Sequence, residues 1–381
     1  MPRKTILVFI DWYLPGFKAG GPITSCSNVV EHLRDEFDFR IVTRDTDYTD
    51  SSPYSGIVSN TWIRLADGTP VYYFSKEQLT RKNISRLISE TPCSVVYLNG
   101  IYSRYFTVIP LLLLKKHAGV RVVVAVRGML AQSALNVKKI KKTAFLMFVK
   151  RMRLFRQVIF HASTEIEKRD IERVFGRLNT VSVAPNLASV SIPGVNPQRF
   201  KTSGELSLIS IARIAPEKNL LFALHILLGL KGLKITFDIY GPIYDTEYWK
   251  QCTDLIALMP SSIVIRYLGS IENNKVQETL ANYQFLWMPT QGENFGHIIL
   301  QAFSAGCPVI ISNKTPWTGL RNMNCGWDLG LDNDAAFQDA IREAIDMNQQ
   351  QFNLLSEHSF RFALRYLSDK ENEEANRKLF R

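Results

Sequence analysis

The sequence predicts an α/β protein built from two Rossmann-like halves, and three observations carry that expectation. Short apolar runs alternate with amphipathic segments along the chain, the sign of a parallel sheet with crossover helices. The alternation pauses once, across residues 187–205, which are rich in Pro, Ser, Gly and Asn and lack periodicity. The 381 residues, 46% hydrophobic and 11% aromatic, are long for one domain and comfortable for two buried cores.

Taken in order, strands are expected at residues 5–10, 39–43, 71–74, 94–98, 121–126 and 158–162, with helical patterns such as 25–33 and 79–89 between them. Ser163-Thr164-Glu165 suits a helix start directly after the strand at 158–162. A further strand at 181–183 stops at the breaker Pro185-Asn186. After the linker at 187–205, a second series follows at 206–211, 235–240, 263–267, 285–288 and 309–312, and the tail from Asp332 reads as charged helix. The expected division is therefore 1–186 and 206–359, with a final helix at about 360–381 packing back on the first domain. Open doubly wound sheets bind ligands beyond the carboxyl ends of their strands, which is where the candidate motifs fall.

Lys and Arg number 46 against 35 acidic residues, a net charge of +11, which favours a polyanionic partner: nucleic acid, anionic lipid or a phosphorylated substrate. Nothing resembles a nucleic-acid module, so nucleic acid is not expected. Cys26, Cys93, Cys252, Cys307 and Cys325 are scattered and form no Cys-x-x-Cys pair, as reduced thiols do. His32, His117, His161, His225, His297 and His358 show no paired ligand spacing. Asp45-Thr46-Asp47 matches an Asp-x-Asp metal triplet, but such a triplet arises easily by chance, and no metal or cofactor is assigned. The N-terminus is too briefly apolar for a signal peptide, and no run approaches the ~18 apolar residues that span a bilayer. A cytoplasmic, soluble or peripheral protein is expected.

Three constellations carry chemistry. Arg213 and Lys218 stand five apart around Ala215-Pro216-Glu217, after the strand at 206–211; a planar fork and a point charge together suit a diphosphate. A charged, solvated helix entrance is the alternative. In Pro289-Thr290-Gln291-Gly292-Glu293-Asn294-Phe295-Gly296-His297 a Pro/Gly turn presents the Glu293 carboxylate, a helix opens at Phe295-Gly296, and Gln301 lies about two helical turns on. Backbone amides at that helix entrance suit an anion. The third is Lys18-Ala19-Gly20-Gly21-Pro22, a loop whose glycines let backbone approach a ligand.

Together these motifs resemble the family-four retaining glycosyltransferases of bacterial surface polysaccharide biosynthesis. Pro185-Asn186 stands where relatives carry Pro-Asn-Gly, and the segment 305–310 is similar to the family's strand after the donor helix. The resemblance implies the GT-B architecture, two Rossmann-like domains facing an interdomain cleft. It also implies metal-free transfer of a hexose from a nucleotide sugar, UDP favoured and GDP possible, to a saccharide or lipid-linked saccharide. It casts Arg213, Lys218 and Glu293 as catalytic, and Gly20, Gly21, Asn294, Phe295, Gly296, His297 and Gln301 as donor-binding. Gln301 departs from the second Glu usual there; Gln keeps an acceptor and loses the charge. Arg127-Gly128 stands where relatives often show His before a small residue, making Arg127 an acceptor-side candidate.

Residues 138–156 hold eight basic side chains and no acidic one, interleaved with Phe, Leu, Met and Val. Lys138, Lys139, Lys141, Lys142, Lys150 and Arg151 are expected on an interfacial helix meeting the anionic inner face of the cell membrane; a surface helix packed on the sheet is the alternative. The other functions considered are a GT-B nucleotide-sugar epimerase, against which the Arg213/Lys218/Glu293 spacing argues, and a non-enzymatic basic membrane-binding protein.

Overall fold

The computed structural model describes residues 3–115, 119–136, 139–177, 179–189 and 199–381. Its elements run β1 (Lys4–Phe9), α1 (Gly21–Leu33), β2 (Phe37–Arg44), β3 (Trp62–Arg64), β4 (Pro70–Phe74), α2 (Arg81–Glu90), β5 (Val95–Asn99), α3 (Ile109–Leu114), β6 (Arg121–Ala125), α4 (Gln132–Asn136), α5 (Lys139–Arg151), β7 (Ile159–Ala162), α6 (Glu165–Phe175) and β8 (Thr180–Val183). They continue with β9 (Glu205–Ile211), α7 (Leu220–Leu228), β10 (Lys234–Tyr240), α8 (Thr246–Ile256), β11 (Ile263–Tyr267), α9 (Val276–Leu280), β12 (Phe285–Met288), α10 (His297–Ser304), β13 (Val309–Ser312), β14 (Gly326–Leu329), α11 (Asp334–Asp346), α12 (Gln349–Leu367) and α13 (Lys370–Phe380).

Two compact units emerge, Met1–Val190 with Asp369–Arg381, and Ser191–Ser368. Among the described residues the first holds one sheet in the order β3-β4-β2-β1-β5-β6-β7-β8, and the second one in the order β11-β10-β9-β12-β13-β14. All pairings are parallel except β3 against β4. A parallel strand covered on both faces must be apolar on both, and β1 is: Leu7 and Phe9 enter one core, Ile6 and Val8 the other. The same logic makes all four residues of β12 buried.

Helix starts follow local chemistry. Thr164 caps α6 by accepting from the Glu167 amide at 3.0 Å, as the Ser-Thr-Glu signal predicts. A capping box between Asn348 and Gln351 opens α12. That helix then runs unbroken to Leu367, and a new cap at Asp369 starts α13. The expected boundary at 360 therefore falls inside a continuous helix: residues 360–368 belong with the second unit, and only α13 returns. Phe380 meets the rings of Phe37, Phe39 and Tyr97, with centroids 5.7, 5.6 and 5.3 Å away. The linker also narrows, because Leu187 is buried in the first unit while Arg199 and Lys201 are buried in the second. Residues 190–198 and Lys138 lie outside the described residues.

Candidate functional site

In the second unit β9 lies between β10 and β12, so its carboxyl end is the point where strand order reverses. Leu286 of β12 pairs with Ile209 of β9, which brings loops 75 residues apart in sequence to one sheet edge. The backbone laces them together. Glu217 O accepts from the Gln291 amide at 2.9 Å and from Thr290 Oγ1 at 3.0 Å, and Asn219 Nδ2 donates to Pro289 O at 3.0 Å. Asn219 takes a left-handed conformation, φ 61°, between a short helical turn over Pro216–Lys218 and α7.

The lacing joins the two constellations directly. Lys218 Nζ forms an ion pair and hydrogen bond with Glu293 Oε1, and the two side chains are only 16% and 13% exposed. Glu293 is held from behind, its amide donating to Lys314 O at 3.0 Å. Arg213 donates to Glu217 Oε1 at 3.0 Å and lies against the Tyr244 ring, 5.1 Å from its centroid. Charge of both signs is thus concentrated on one rigid loop pair.

The helix entrance is equally fixed. Gly296 has φ 78°, and a Cβ there would lie 2.9 Å from Ile299 Cδ1, so the position requires glycine. Trp317 Nε1 donates to Phe295 O, and the Phe295 ring is buried against Trp317, His297 and Tyr366. The Phe295 side chain is therefore an anchor of the turn, leaving its backbone for ligand contact. Asn294 and His297 are half-buried beside it. Gln301 sits on the second turn of α10, 3.4 Å from Asn273 Oδ1. A third loop was not legible as part of this site: Gly241, after β10, packs so tightly on Ala212 that a Cβ would fall 1.8 Å from its carbonyl oxygen. Gly241-Pro242 directly after a strand was the available signal.

In the first unit Gly20, φ 70°, precedes α1, which opens at Gly21. Asp47 shapes this loop by accepting from the Phe17 and Lys18 amides at 2.9 and 3.2 Å, and Asp45 accepts from Ser59 Oγ at 2.7 Å. Both carboxylates are buried and structurally engaged.

Arg127, itself left-handed at φ 56°, directs four hydrogen bonds inward: Nε and Nη2 to Asn99 Oδ1, Nη1 to Asn186 Oδ1 and Nη2 to Tyr97 OH, all at 2.7–3.2 Å. Tyr97 then donates to His161 Nδ1 at 2.8 Å, and His161 Nε2 donates to Ala184 O at 2.8 Å. Burial and the nearby Arg127 charge push the His161 ring down to about 3, so it stays neutral.

On α5, Leu146 and Val149 join the core, whereas Ile140, Met147 and Phe148 are 86, 62 and 57% exposed. Lys139, Lys141, Lys150 and Arg151 are exposed among them. Lys142 differs: it donates to Ala134 O and lies over the Tyr102 ring, so it is not one of the outward cations. No helix among the described residues is long and apolar enough to cross a membrane.

Two doubly wound parallel sheets of this topology define the GT-B fold, and comparison with solved structures agrees. HepE of Anabaena, crystallised with UDP and glucose, superposes over 99% of this chain and 98% of its own with a TM-score of 0.70 at 14% identity. WaaG, a glycosyltransferase involved in lipopolysaccharide biosynthesis, does so over 98% and 99% with a TM-score of 0.65 at 12% identity. Residues 196–356 match the family "Glycosyl transferases group 1". Among curated proteins, the GtfA subunit of the UDP-N-acetylglucosamine–peptide N-acetylglucosaminyltransferase of Streptococcus parasanguinis is 25% identical over 176 residues. That match covers 45% of this chain and 33% of the relative, so the chain spans about a third of the relative's length.

Proposed function

We propose that this protein is a metal-independent, retaining glycosyltransferase. It would move a hexose from a nucleotide sugar to a lipid-linked saccharide during assembly of a surface polysaccharide such as O-antigen. The observation that carries this reading is the Lys218–Glu293 pair at the adjoining carboxyl ends of β9 and β12, beside Arg213 and the entrance of α10. Arg213 and Lys218 bind the donor diphosphate and stabilise the charge that grows on the leaving group. Lys218 exchanges a carboxylate partner for a phosphate, and Glu293, released, accepts from hydroxyls of the donor sugar. Amides at residues 295–297 meet phosphate and sugar, and Gln301 meets the ribose. As the anomeric carbon–phosphate oxygen bond breaks, the acceptor oxygen bonds to the same face of that carbon, and its proton passes to the departing phosphate. UDP is favoured because the HepE and GtfA descriptions both name it.

The lipid-linked acceptor and a place on the inner membrane face rest on α5. Its exposed Ile140, Ala144, Met147 and Phe148 recur at helical spacing, on an outward stripe that core packing does not use. Exposed cations flank that stripe, as an anionic bilayer would require.

A thermal-shift screen against UDP-, GDP-, ADP- and dTDP-sugars tests the donor, since a bound donor raises stability by mass action. UDP-sugars are expected to stabilise; no stabilisation by any of the four sinks the reading. Transfer is expected to persist in excess EDTA, and a strict Mn²⁺ requirement overturns metal independence. Phe148→Ser with Met147→Ser is expected to weaken binding to vesicles containing anionic lipid; undiminished binding retires the interfacial role of α5.

A further inference from the structure

Arg199 carries a positive charge where the fold gives it no acidic partner. It is only 8% exposed, and among the described residues its side chain meets no carboxylate. Its Nη1 donates to Gly306 O at 2.8 Å and to Ser356 Oγ at 3.3 Å, and its Nη2 donates to Ala305 O. Arginine is rarely buried without a counter-charge, because taking a cation out of water is costly. Burial pulls its pKa down from the ordinary arginine value, yet a guanidinium keeps its charge in a folded protein.

The acceptors explain the location. Ala305 caps the carboxyl end of α10, and Gly306 follows it at φ 64°. The Gly306 amide donates to Phe303 O and the Cys307 amide to Ala302 O, both at 2.8 Å, the paired pattern of a glycine-terminated helix. That turn leaves the carbonyls of Ala305 and Gly306 to the guanidinium. A helix carries partial negative charge at this end and partial positive charge at its entrance. The entrance of α10 is the one read above as meeting the donor phosphate. The helix has eight residues, so at 1.5 Å per residue Arg199 stands about 12 Å along the axis from it.

Lys201 provides a contrast two residues on. It is 5% exposed and gives its hydrogen bonds to Thr202 O, Glu205 O and Ile345 O at 2.8, 2.7 and 2.9 Å. The carboxylates of Asp346 and Glu205 offset its charge. It also lies at the start of β9, whose seven residues put about 23 Å between it and the carboxyl edge of the sheet.

We propose that Arg199 is a positioning residue for the donor, a buried cation at the far end of α10 that strengthens the hold of that helix on a diphosphate at its entrance. The assignment rests on the donor reading above. Opposite unit charges about 12 Å apart, at the effective dielectric of about 20 that suits protein sites, change a binding constant about tenfold. No acidic partner cancels the field of Arg199, whereas that of Lys201 is offset and remote.

Isothermal titration of the full chain with UDP and with uridine tests this, beside thermal melts. Arg199→Gln keeps N–H donors for the carbonyls and removes the charge, and Arg199→Lys keeps the charge. Arg199→Gln is expected to bind UDP about tenfold more weakly than the parent, and Arg199→Lys to stay within about twofold of it. Lys201→Met is expected to lower the melting temperature while UDP affinity stays within about twofold of the parent. Uridine has no phosphate and is expected to bind Arg199→Gln and the parent alike. Should Arg199→Gln not fold, Arg199→Met takes its place in the same comparison. A loss shared by uridine or by Lys201→Met overturns the proposal, since either shows a distorted site rather than a missing charge. If the parent binds UDP and Arg199→Gln binds it equally well, the Arg199 assignment falls alone. If the parent binds UDP no better than uridine, the donor-diphosphate reading falls and takes Arg199 with it.

Discussion

The two units present equivalent sheet edges and use charge on them in opposite ways. In each, the first strand of the unit lies between two neighbours reached in opposite directions, and a glycine-bearing loop leads from the edge into a helix. In the first unit the charged groups are spent internally. Arg127 gives four hydrogen bonds to neutral Asn and Tyr side chains, and buried Glu167 takes the Gly128 amide at 2.5 Å together with the amide and hydroxyl of Ser163 at 2.6 and 2.8 Å. In the second unit Lys218 and Glu293 reach each other across two loops and retain some exposure. The difference teaches that a charge becomes available to a ligand when its partner is another charged side chain that a ligand can replace, and is committed when its partners are backbone and fixed neutral dipoles.

The largest effect should come from the second edge. Lys218→Ala or Glu293→Ala is expected to lower kcat by about 10²–10³-fold, the range for removing one group that stabilises developing charge. The melting temperature should also fall, because each variant leaves a charged partner that is only 13–16% exposed without its counter-charge. Steady-state kinetics beside thermal melts decide it. Full activity in both variants would remove the pair from the site, and collapse of the fold would make it structural.

The first edge should respond in the opposite sense. Glu167→Ala removes the acceptor of the Gly128 amide and of the Ser163 amide and hydroxyl, so it is expected to cost about 2–4 kcal/mol of stability. Urea unfolding measures this, and a loss near zero would show that water replaces the carboxylate freely.

The neutral His161 gives that edge a pH signature. Its folded value of about 3 lies below the unfolded reference of 6.5, so the unfolded chain takes up the proton first as pH falls. The stability it contributes is complete above pH 6.5 and is lost progressively toward pH 3. Between pH 7 and 5 the parent protein should lose about 2 kcal/mol more than His161→Gln, at about 1.4 kcal/mol per unit. Parallel pH profiles for the two proteins would refute it.

Much of this was readable from sequence where one strand and its loop carry the signal. The runs at 285–288 and 309–312 form strands with those bounds, and Arg213, Lys218 and Glu293 follow apolar runs closely enough for the sequence to set them beyond strand ends. What was not readable depends on partners. β3 is a three-residue antiparallel edge and β14 begins at Gly326, so neither shows an apolar run long enough to register. The Lys218–Glu293 contact arises because β12 pairs with β9, a fact of strand order rather than spacing. The internal role of Arg127 is not legible because its three acceptors, on residues 97, 99 and 186, are distant in sequence. On α5 the sequence gives one basic, apolar segment, and only packing separates Leu146 and Val149 from the outward Met147 and Phe148.

The smallest effect sharpens the second edge most finely. Gln301 occupies the place where the family resemblance expects a carboxylate, and among the described residues its side chain meets the neutral Asn273 at 3.4 Å. Gln301→Glu restores a charged acceptor for a ribose hydroxyl, and hydrogen bonds to charged groups are stronger than neutral ones by about 1 kcal/mol. The new charge also sits on the helix that receives the diphosphate, which repels it in part. The net expectation is donor binding tighter by roughly two- to fivefold with kcat nearly unchanged, since the ribose contact is made equally in the ground and transition states. Isothermal titration with UDP and donor KM report on the same quantity. Weaker binding in the variant would mean that this edge is tuned to a neutral side chain, and that Gln301 is matched to Lys218 and Arg213 rather than a lapse from the family pattern.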